Sequence, residues 1–493
     1  MKKLTTLLKN NNFLSELVMV NLVVVISLML RLYKIDSKPG YEWDEPVYSS
    51  ISSNYIDYNY PAIKLEGKKG YGPYLYHPPF DSKLKSLVFQ YTGFEGVTSA
   101  RIVSAGASSI ALLFTYYFFK KLANKKVSII SILLMASDGW LIYTNRLNLM
   151  ENMMILLGII SLFLYSYAIS QKKNIWYILS GVMLAITVIY KHTGIYYFGV
   201  PLLNLIFTKR DPKKHISLYL FGLLTIVTYV LVMYLNWGQI YLDQNMVQIK
   251  RAFGIFGARG VQYSFSDAIK AMVNTYWIYI STILTLLIGT LVVVRDLVKH
   301  IVGKVKPKQP LLLSWSLATL LFYAGISLRA PQYLIMLLTP LYLYLTVALS
   351  AWINSKKNRL RLHVFLGIIL LINSFTWYKR FFIRNDNALL ATYEYINSLV
   401  PEDAVILTEE SIGVGIKQTY YKFDLHNSKE EIEKIKPSFV VVYLSSTQKL
   451  PKSQALESLI NKSSLVKEFE GFKEKIYIYS NDLWITNISS VEK

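Results

Sequence analysis

The sequence contains no cysteine among its 493 residues. Disulfide bridges and thiolate metal sites are therefore excluded, and cysteine usage says nothing about the redox compartment. Acidic residues are also scarce, because 31 Asp and Glu stand against 53 Lys and Arg, a formal net charge of +22. In a soluble protein this excess would suggest a nucleic-acid partner. The basic residues cluster in short segments between apolar runs, however, which favours a membrane orientation signal and predicts no nucleic-acid binding.

Apolar residues are the abundant class, at 53% of the chain. They occur in blocks such as LVMVNLVVVISLMLRL at 17–32 and YLFGLLTIVTYVLVMYL at 219–235, which approach the roughly 20 residues that cross about 30 Å of hydrocarbon as a helix. The pattern predicts a polytopic α-helical membrane protein with about eleven transmembrane helices. The predicted spans are 13–33, 98–119, 127–143, 147–170, 175–190, 194–208, 216–236, 271–294, 310–328, 331–352 and 363–380.

The segments between these spans alternate in basic charge. The N-terminus and the segments near 120–126, 171–174, 209–215, 295–308 and 356–361 carry 3, 4, 2, 4, 5 and 4 Lys and Arg residues. Three short turns on the other side carry about one basic residue each, namely Arg146, Lys191 and Arg329. The positive-inside rule then predicts a cell-membrane protein with a cytoplasmic N-terminus and an extracytoplasmic first loop at 34–95.

The composition changes near residue 385. The stretch NALLATYEYINSLVPEDAVILTEES predicts an amphipathic helix, a turn and a buried strand, and KEEIEKIKPSFVVVYLSS repeats that order. We expect residues 1–384 to form a membrane domain and 385–493 a small C-terminal α/β domain on the extracytoplasmic side. Asn461 and Asn487 stand in glycosylation sequons, which adds a little support for that side.

The first outer loop holds adjacent carboxylates, Asp44 and Glu45, between Trp43 and Pro46. One interpretation is structural, with Asp44 capping a short helix that has Pro46 in its first turn. A cap does not require the second carboxylate, nor Tyr48. The alternative is a general base just outside the bilayer, which takes a proton from an acceptor hydroxyl.

Further ionisable residues fall at predicted outer span ends. Glu151 lies in an apolar run, where a carboxylate is costly and marks a functional candidate, although Arg146 could simply neutralise it. The cations are Arg101, Arg146, Lys191 and Arg329, and Arg101 could instead be an interfacial anchor. Cations beside carboxylates suit a substrate with an anionic phosphate leaving group and a hydroxyl nucleophile.

His77 begins a rigid His-Pro-Pro corner, and its structural alternative is an exposed loop residue. No cofactor is predicted with certainty. A divalent metal ion stays open, with His77 as the candidate ligand beside the carboxylates, but the spacing is not diagnostic of a metal site.

Motifs in a fixed order resemble those of the dolichyl-phosphate-mannose protein O-mannosyltransferases and the related bacterial lipid A aminoarabinose transferase, which share the GT-C fold. The matching stretches are WDEPVY at 43–48, HPPFDSKL at 77–84, SARIVSAGAS at 99–108, DGWLIYTNRLNLMEN at 138–152, YKHTG at 190–194 and RAPQYLIMLLTPLYL at 329–343. The loop at 237–270 is too short for the MIR repeats of the eucaryotic enzymes, which leaves the acceptor open.

The resemblance implies an inverting transfer of a sugar, mannose or another hexose, from polyprenyl or dolichyl phosphate to an acceptor hydroxyl at the outer membrane face. The acceptor could be protein Ser or Thr, a lipid or a glycan. Asp44 would be the base, with Glu45 and Glu151 as further catalytic residues. The donor phosphate would contact Arg101, Arg146, Lys191 and Arg329, and the substrates Tyr48, His77, Gln332 and Tyr333.

Three other functions compete with this interpretation. A transporter or lipid flippase would place polar residues at mid-bilayer depth, whereas the ionisable residues gather at span ends. A non-catalytic scaffold would leave the Asp44–Glu45 and His-Pro-Pro loop unexplained. An oligosaccharyltransferase is expected to carry a W-W-D-Y-G signature, which the sequence lacks.

Overall fold

The computed structural model describes residues 11–38, 40–41, 44–68, 70–209, 211–253, 280–303, 305–326, 331–350, 358–378, 387–423, 425–445, 453–471 and 474–481. In chain order the α-helices are α1 (Asn11–Leu32), α2 (Asp44–Tyr58), α3 (Phe80–Thr92), α4 (Val97–Leu122), α5 (Lys125–Ser137), α6 (Gly139–Arg146), α7 (Met150–Gln171), α8 (Asn174–Tyr190), α9 (Tyr196–Thr208), α10 (Lys213–Trp237), α11 (Gln239–Phe253), α12 (Ile280–Gly303), α13 (Pro310–Gly325), α14 (Leu334–Ala348), α15 (Arg359–Tyr378), α16 (Ala388–Leu399), α17 (Glu410–Gly413), α18 (Lys429–Ile435) and α19 (Gln454–Asn461). Short 3₁₀ turns lie at His192–Ile195 and Pro331–Tyr333. The strands are β1 (Ala62–Lys64), β2 (Tyr71–Pro73), β3 (Val405–Thr408), β4 (Thr419–Lys422), β5 (Phe439–Ser445), β6 (Ser464–Glu470) and β7 (Glu474–Ser480).

The chain divides into two compact units. Unit 1 comprises Met1–Tyr33, Leu75–Phe80 and Ile102–Tyr378, and unit 2 comprises Lys34–Tyr74, Asp81–Arg101 and Lys379–Lys493. Most of the loop 34–95 therefore belongs to the same unit as the C-terminal segment. The six residues that include the His-Pro-Pro corner belong to unit 1.

The long helices of unit 1 are those of a membrane protein. Within the described ranges, α1, α4, α7, α10 and α15 are long and apolar enough to cross a bilayer, and the pair α5–α6 makes six if it forms one bent span. Helix α10 leaves apolar side chains exposed, such as Leu224 and Leu235, as expected where hydrocarbon is the solvent. Helices also lie at the other predicted spans, but α8, α13 and α14 are shorter, so about eleven crossings stays a prediction.

Small and hydroxyl residues bring the helices of unit 1 together. A Cβ on Gly181 of α8 would lie 2.1 Å from the carbonyl oxygen of Leu218, so α8 and α10 approach to a distance that only glycine permits. Ser161 of α7 and Ser180 of α8 donate hydrogen bonds to each other's carbonyl oxygens, at 3.3 and 3.1 Å. Such contacts replace the hydrophobic driving force that is absent between helices in lipid.

The predicted third span, 127–143, is interrupted at Asp138, where α5 and α6 meet with a bend of 63°. The Asp138 carboxylate accepts a hydrogen bond from the Leu141 N–H at 2.8 Å and so caps α6. Its second oxygen accepts from the hydroxyls of Thr282 and Tyr342, at 2.8 and 2.6 Å. The Asp138 side chain thus supplies an acceptor for a backbone N–H that the break leaves without a helical partner. The helix can therefore be interrupted inside the bundle.

Unit 2 contains a five-stranded sheet with the order β4-β3-β5-β7-β6. Strands β4, β3 and β5 run parallel, and β7 and β6 are antiparallel additions. Helix α16 with strand β3, and helix α18 with strand β5, lie where NALLATYEYINSLVPEDAVILTEES and KEEIEKIKPSFVVVYLSS predicted a helix followed by a strand, whereas α17 and β4 between them were not predicted. Buried apolar residues such as Leu407, Val440 and Leu456 form the core beside the sheet. The extent and sidedness of the predicted domain 385–493 stay predictions.

Candidate functional site

The predicted site residues are divided between the two units. Unit 2 holds Asp44, Glu45, Tyr48 and Arg101, and unit 1 holds His77, Arg146, Glu151, Lys191, Gln332 and Tyr333. Arg329 lies outside the described residues, as does the sequon residue Asn487. Each group is therefore considered within its own unit.

In unit 2, Glu45 and Arg101 form a fully buried ion pair. The guanidinium donates from Nε and Nη2 to the two carboxylate oxygens of Glu45, at 2.7 and 2.5 Å, and both side chains are 0% exposed. Arg101 also donates to the carbonyl oxygens of Ile35 and Gly40, each at 3.0 Å. This bidentate geometry satisfies the buried charges and anchors the chain that precedes α2.

Asp44 occupies a different environment from its neighbour. It is the first residue of α2, followed by Glu45 and Pro46 in the first turn. Unlike Glu45, its side chain is only partly buried. The exposed N–H groups at a helix start stabilise negative charge, so Asp44 combines access with a favourable position for a carboxylate. Tyr48, one turn further along, is buried.

In unit 1, Glu151 and Lys191 form a second buried ion pair. Their Oε1 and Nζ atoms are 2.7 Å apart, and their side chains are 2% and 6% exposed. Glu151 lies in the first turn of α7, and Lys191 directly follows the end of α8. The Lys191 ammonium also lies 5.5 Å from the ring centroid of Tyr333, within cation–π range. The sequence suggested Arg146 as partner of Glu151; the structure supplies Lys191.

Arg146 contacts the end of α1. It is fully buried, and its guanidinium donates to the carbonyl oxygens of Leu30 and Tyr33, at 2.8 and 2.5 Å. The last carbonyls of a helix have no partners within the helix, and a cation there opposes the negative end of the helix dipole. These contacts give Arg146 a capping role in the fold.

In unit 1, Lys191, His192 and Arg251 lie close enough to His77 to affect its pKa. Burial lowers the pKa of His77 well below its usual 6.5, and the nearby Lys191, His192 and Arg251 lower it further. Burial and Lys191 lower the pKa of His192 to about 4, against the opposing effect of a hydrogen bond with Asn245. Both imidazoles are therefore neutral near pH 7. The four side chains make a cluster in which Lys191 and Arg251 carry the positive charge.

The segment before His77 is held by α11. The Leu75 N–H donates to the Gln244 side-chain oxygen at 2.5 Å, and the Asn245 amide donates to the Leu75 carbonyl at 3.0 Å. Helix α11 also contributes Arg251 to the cluster. Sequence reasoning missed Arg251 and used His192 only as part of a turn. The basic pair Lys250–Arg251 in a predicted outer loop was the available signal.

An apolar groove of about 500 Å³ lies between α8 and α10. Its lining includes Phe80, Ile186, Ile189, Leu224 and Tyr229. Phe80 follows the His-Pro-Pro corner, and Ile189 is two residues from Lys191. The groove therefore runs beside the end of α8 that carries the cationic cluster.

The residues around His77 do not suit a divalent cation. Among the residues that the structure describes, no three His, Asp or Glu side chains form a group able to hold a metal ion. His77 lies close to Lys191, His192 and Arg251, whose electrostatic effect disfavours added positive charge. The cluster fits an anion better than a metal.

Comparison with known proteins supports the resemblance expected from the motifs. Residues 76–237 match the family model described as dolichyl-phosphate-mannose-protein mannosyltransferase. No curated protein matches the sequence significantly. The matched segment contains His77, Arg101, Glu151 and Lys191 and covers part of the chain.

Solved structures share the fold over nearly the whole length. The Archaeoglobus fulgidus oligosaccharyltransferase in the apo form aligns with 97% of this chain and 75% of its own, at a TM-score of 0.61 and 12% identity. ArnT from Cupriavidus metallidurans, bound to undecaprenyl phosphate, aligns over 95% and 99%, at a TM-score of 0.65 and 10% identity. The chain thus has the GT-C fold of membrane glycosyltransferases, as the motifs predicted.

Proposed function

We propose that the protein is an inverting glycosyltransferase that moves a sugar from a polyprenyl-phosphate donor to an acceptor hydroxyl. The observation that carries this proposal is the presence, within unit 1, of both a cationic cluster and an apolar groove of about 500 Å³. A lipid-linked phosphate needs both features, because its head is anionic and its tail is apolar. Lys191 and Arg251 would hold the phosphate, and the groove between α8 and α10 would hold part of the chain.

Two structures with the same fold support this donor class. ArnT from Cupriavidus metallidurans was solved with undecaprenyl phosphate. The Archaeoglobus fulgidus oligosaccharyltransferase AglB was solved with dolichol phosphate and an inhibitory peptide, and it aligns with 97% of this chain and 75% of its own at a TM-score of 0.56 and 12% identity. Both lipids combine a phosphate with a polyprenyl chain.

The proposed reaction is a single displacement at the anomeric carbon. The Asp44 carboxylate takes the proton of the acceptor hydroxyl as its oxygen attacks that carbon. The bond between the anomeric carbon and the phosphate oxygen breaks, and polyprenyl phosphate leaves with the electron pair. Attack from the opposite side inverts the configuration. Lys191 and Arg251 stabilise the negative charge that develops on the leaving phosphate.

The buried contacts change the roles predicted for four residues. We assign Glu45 and Arg101 to holding the start of α2, since their ion pair is 0% exposed. Glu151 orients the Lys191 ammonium and does not itself react. Arg146 is assigned to the α1 terminus in place of the phosphate. Arg329, outside the described residues, keeps its predicted phosphate role.

The remaining substrate contacts follow from burial and protonation. His77 is neutral near pH 7, so we propose that it contacts the sugar or phosphate through a hydrogen bond. Gln332 and Tyr333 lie in the 3₁₀ turn Pro331–Tyr333, and the Tyr333 ring is already packed against Lys191. Tyr48 is proposed to line the acceptor side of α2.

The proposed orientation keeps the N-terminus in the cytoplasm. About eleven helices would cross the membrane, with the loop 34–95 and the domain 385–493 outside the cytoplasm. We propose mannose or another hexose as the sugar and protein Ser or Thr as the first acceptor class to test. Lipid or glycan acceptors, and a flippase that moves the lipid without transferring sugar, are the alternatives.

The direct test is transfer by the purified protein from a panel of labelled polyprenyl-phosphate sugars to peptide, lipid and glycan acceptors. Asp44→Asn should reduce kcat by at least a hundredfold, because the amide cannot accept the proton, while thermal unfolding stays unchanged. Asp57→Asn is the matched control, since Asp57 lies exposed near the other end of the same helix. It should retain full transfer.

Two outcomes would count against the proposal. Full transfer by the Asp44→Asn variant would remove the assigned base. Translocation of the labelled lipid in vesicles, without sugar transfer to any acceptor in the panel, would favour the flippase alternative.

A further inference from the structure

The edge of the C-terminal sheet is covered by a turn from the first outer loop. Strand β4 is an edge strand, and exposed edges carry backbone groups that need partners. The Gly67 N–H donates to the Tyr420 carbonyl at 2.9 Å, and the Lys422 N–H donates to the Glu66 carboxylate at 2.5 Å. The turn between β1 and β2 thus bonds to β4 as an adjacent strand would.

Lys64 makes the second part of this contact. Its ammonium donates to the carbonyl oxygens of Ile416, Lys417 and Gln418, at 2.7, 3.2 and 2.6 Å. An ammonium has three donors, and all three are used on the segment that leads into β4. The Tyr420 hydroxyl donates back to the Lys64 carbonyl at 3.3 Å. Both the side chain and the backbone carbonyl of Lys64 are therefore hydrogen-bonded to the chain around β4.

Glu66 adds an electrostatic component. Its carboxylate lies 3.0 Å from His426 Nε2 and 3.7 Å from Lys422 Nζ. Gly67 beside it has a φ of +66°, and a Cβ there would lie 2.7 Å from the Tyr421 ring. A glycine is therefore needed both for the backbone conformation and for the close approach.

The same turn is tied to the helix that begins with Asp44. The Asn54 amide of α2 donates to the Ala62 carbonyl of β1 at 2.9 Å, and β1 pairs with β2 from Ala62 to Lys64. The short helix α17 also packs on α2. Unit 2 therefore contains a continuous path of contacts from β4 through the β1–β2 turn to α2.

We propose that Lys64, Glu66 and Gly67 form a positioning clasp, by which the C-terminal sheet fixes the helix that carries the acceptor base. The inference rests on the proposed function for the role of Asp44, but the clasp itself is a property of unit 2. None of the three residues touches the reacting atoms in this scheme. They act by restricting α2, because a displacement of about 1 Å at a reacting group can cost roughly a hundredfold in rate.

The test uses the full-length protein in detergent, with Lys64→Met and Glu66→Ala as disrupting variants. Lys64→Arg keeps hydrogen-bond donors and Glu66→Gln keeps an acceptor, so these two serve as the conservative variants. Lys417→Met is the matched control, because Lys417 pairs only loosely with Glu402 at 3.5 Å and both side chains are mostly exposed. Amide hydrogen exchange is measured for 44–58 and 405–422, and transfer kinetics are measured on the same preparations.

We expect at least tenfold faster exchange across α2 and a tenfold or larger fall in kcat for the disrupting variants. The KM for the lipid donor should change less than twofold, and the conservative variants should lie close to wild type. Unchanged exchange across α2 would overturn the clasp. Faster exchange with unchanged kcat would show a purely structural contact and would overturn its positioning role.

The two proposals fail in distinguishable ways. If the wild-type protein transfers no sugar from any donor, the proposed function fails, whereas hydrogen exchange still reports on the clasp. If Lys64→Met does not fold, Glu66→Ala tests the same path, because it removes the acceptor for the Lys422 N–H. Exchange across α2 should then be faster in Glu66→Ala than in Glu66→Gln, which keeps that acceptor.

Discussion

Adjacent residues in this protein have different physical tasks. Asp44 is accessible at the start of α2, while Glu45 is buried against Arg101. Two carboxylates exposed side by side would repel each other and compete for the same role. The ion pair with Arg101 neutralises Glu45, while the Asp44 side chain stays partly exposed. A buried pair of the same kind occurs in unit 1, where Glu151 Oε1 lies 2.7 Å from Lys191 Nζ.

The Glu45–Arg101 pair should therefore be sensitive to the loss of one partner. Glu45→Gln leaves a buried guanidinium without its counter-charge and should lower stability by about 3–5 kcal/mol. The double variant Glu45→Gln/Arg101→Met should recover much of that loss, because no unpaired charge remains. Thermal unfolding in detergent, followed by circular dichroism, measures the cycle. A double variant as unstable as the sum of the two single variants would argue against direct coupling.

At the residue scale, the sequence proposed candidate residues but did not reveal their partners. Arg101 was predicted to contact phosphate because the family resemblance implies that role. Its pairing with Glu45 joins residues 56 positions apart, and no local pattern reports such a distance. Arg251 was missed because its basic pair Lys250–Arg251 resembles an ordinary charged helix end.

At the scale of elements, the break between α5 and α6 is the feature with the clearest physical cause. Asp138 caps α6, accepts two hydroxyl hydrogen bonds and lies close enough to Arg31 for their charges to interact. Four elements, α1, α6, α12 and α14, thus meet at one carboxylate. A charged residue placed there holds the bend and the adjoining helices together.

Replacing Asp138 should consequently destabilise the bundle. Asp138→Asn keeps one acceptor oxygen but removes the charge opposite Arg31, and we expect a loss of about 3–5 kcal/mol. Asp296→Asn is the control: Asp296 also accepts a tyrosine hydroxyl, from Tyr344 at 2.7 Å, but it is partly exposed. The Asp296→Asn variant should lose only about 1 kcal/mol of stability. Equal shifts in unfolding temperature for both variants would contradict this account.

Helix positions followed from the sequence more closely than helix shape did. The apolar blocks predicted the places of the long helices because span length and composition are local properties. The SDGWLIYTNRLN stretch at 137–148 indicated a tight turn between the third and fourth predicted spans, but it did not indicate that the chain continues after Asp138 as helix α6. Whether an Asp ends a helix or caps a new one depends on the acceptors and donors that surround it.

At the scale of the whole molecule, orientation is the property most open to direct measurement. The absence of cysteine allows single cysteines to be introduced without background. Lys68→Cys and Glu402→Cys should react with a membrane-impermeant maleimide on intact cells, while Lys173→Cys and Lys214→Cys should react only after permeabilisation. All four positions are exposed. Labelling of Lys214→Cys on intact cells would contradict the cytoplasmic placement of the basic loops.

The sequence by itself determined the membrane class, the sites of the long helices and a short set of candidate residues. Those properties depend on the composition and the hydrophobic periodicity of segments of about 20 residues, and such segments interact with lipid or water independently of distant parts of the chain. Only the tertiary structure decided that Glu45 belongs to Arg101, that Glu151 belongs to Lys191, and that the β1–β2 turn covers β4. Each of these joins segments tens to hundreds of residues apart, so it depends on the path of the chain in space, which no local pattern encodes.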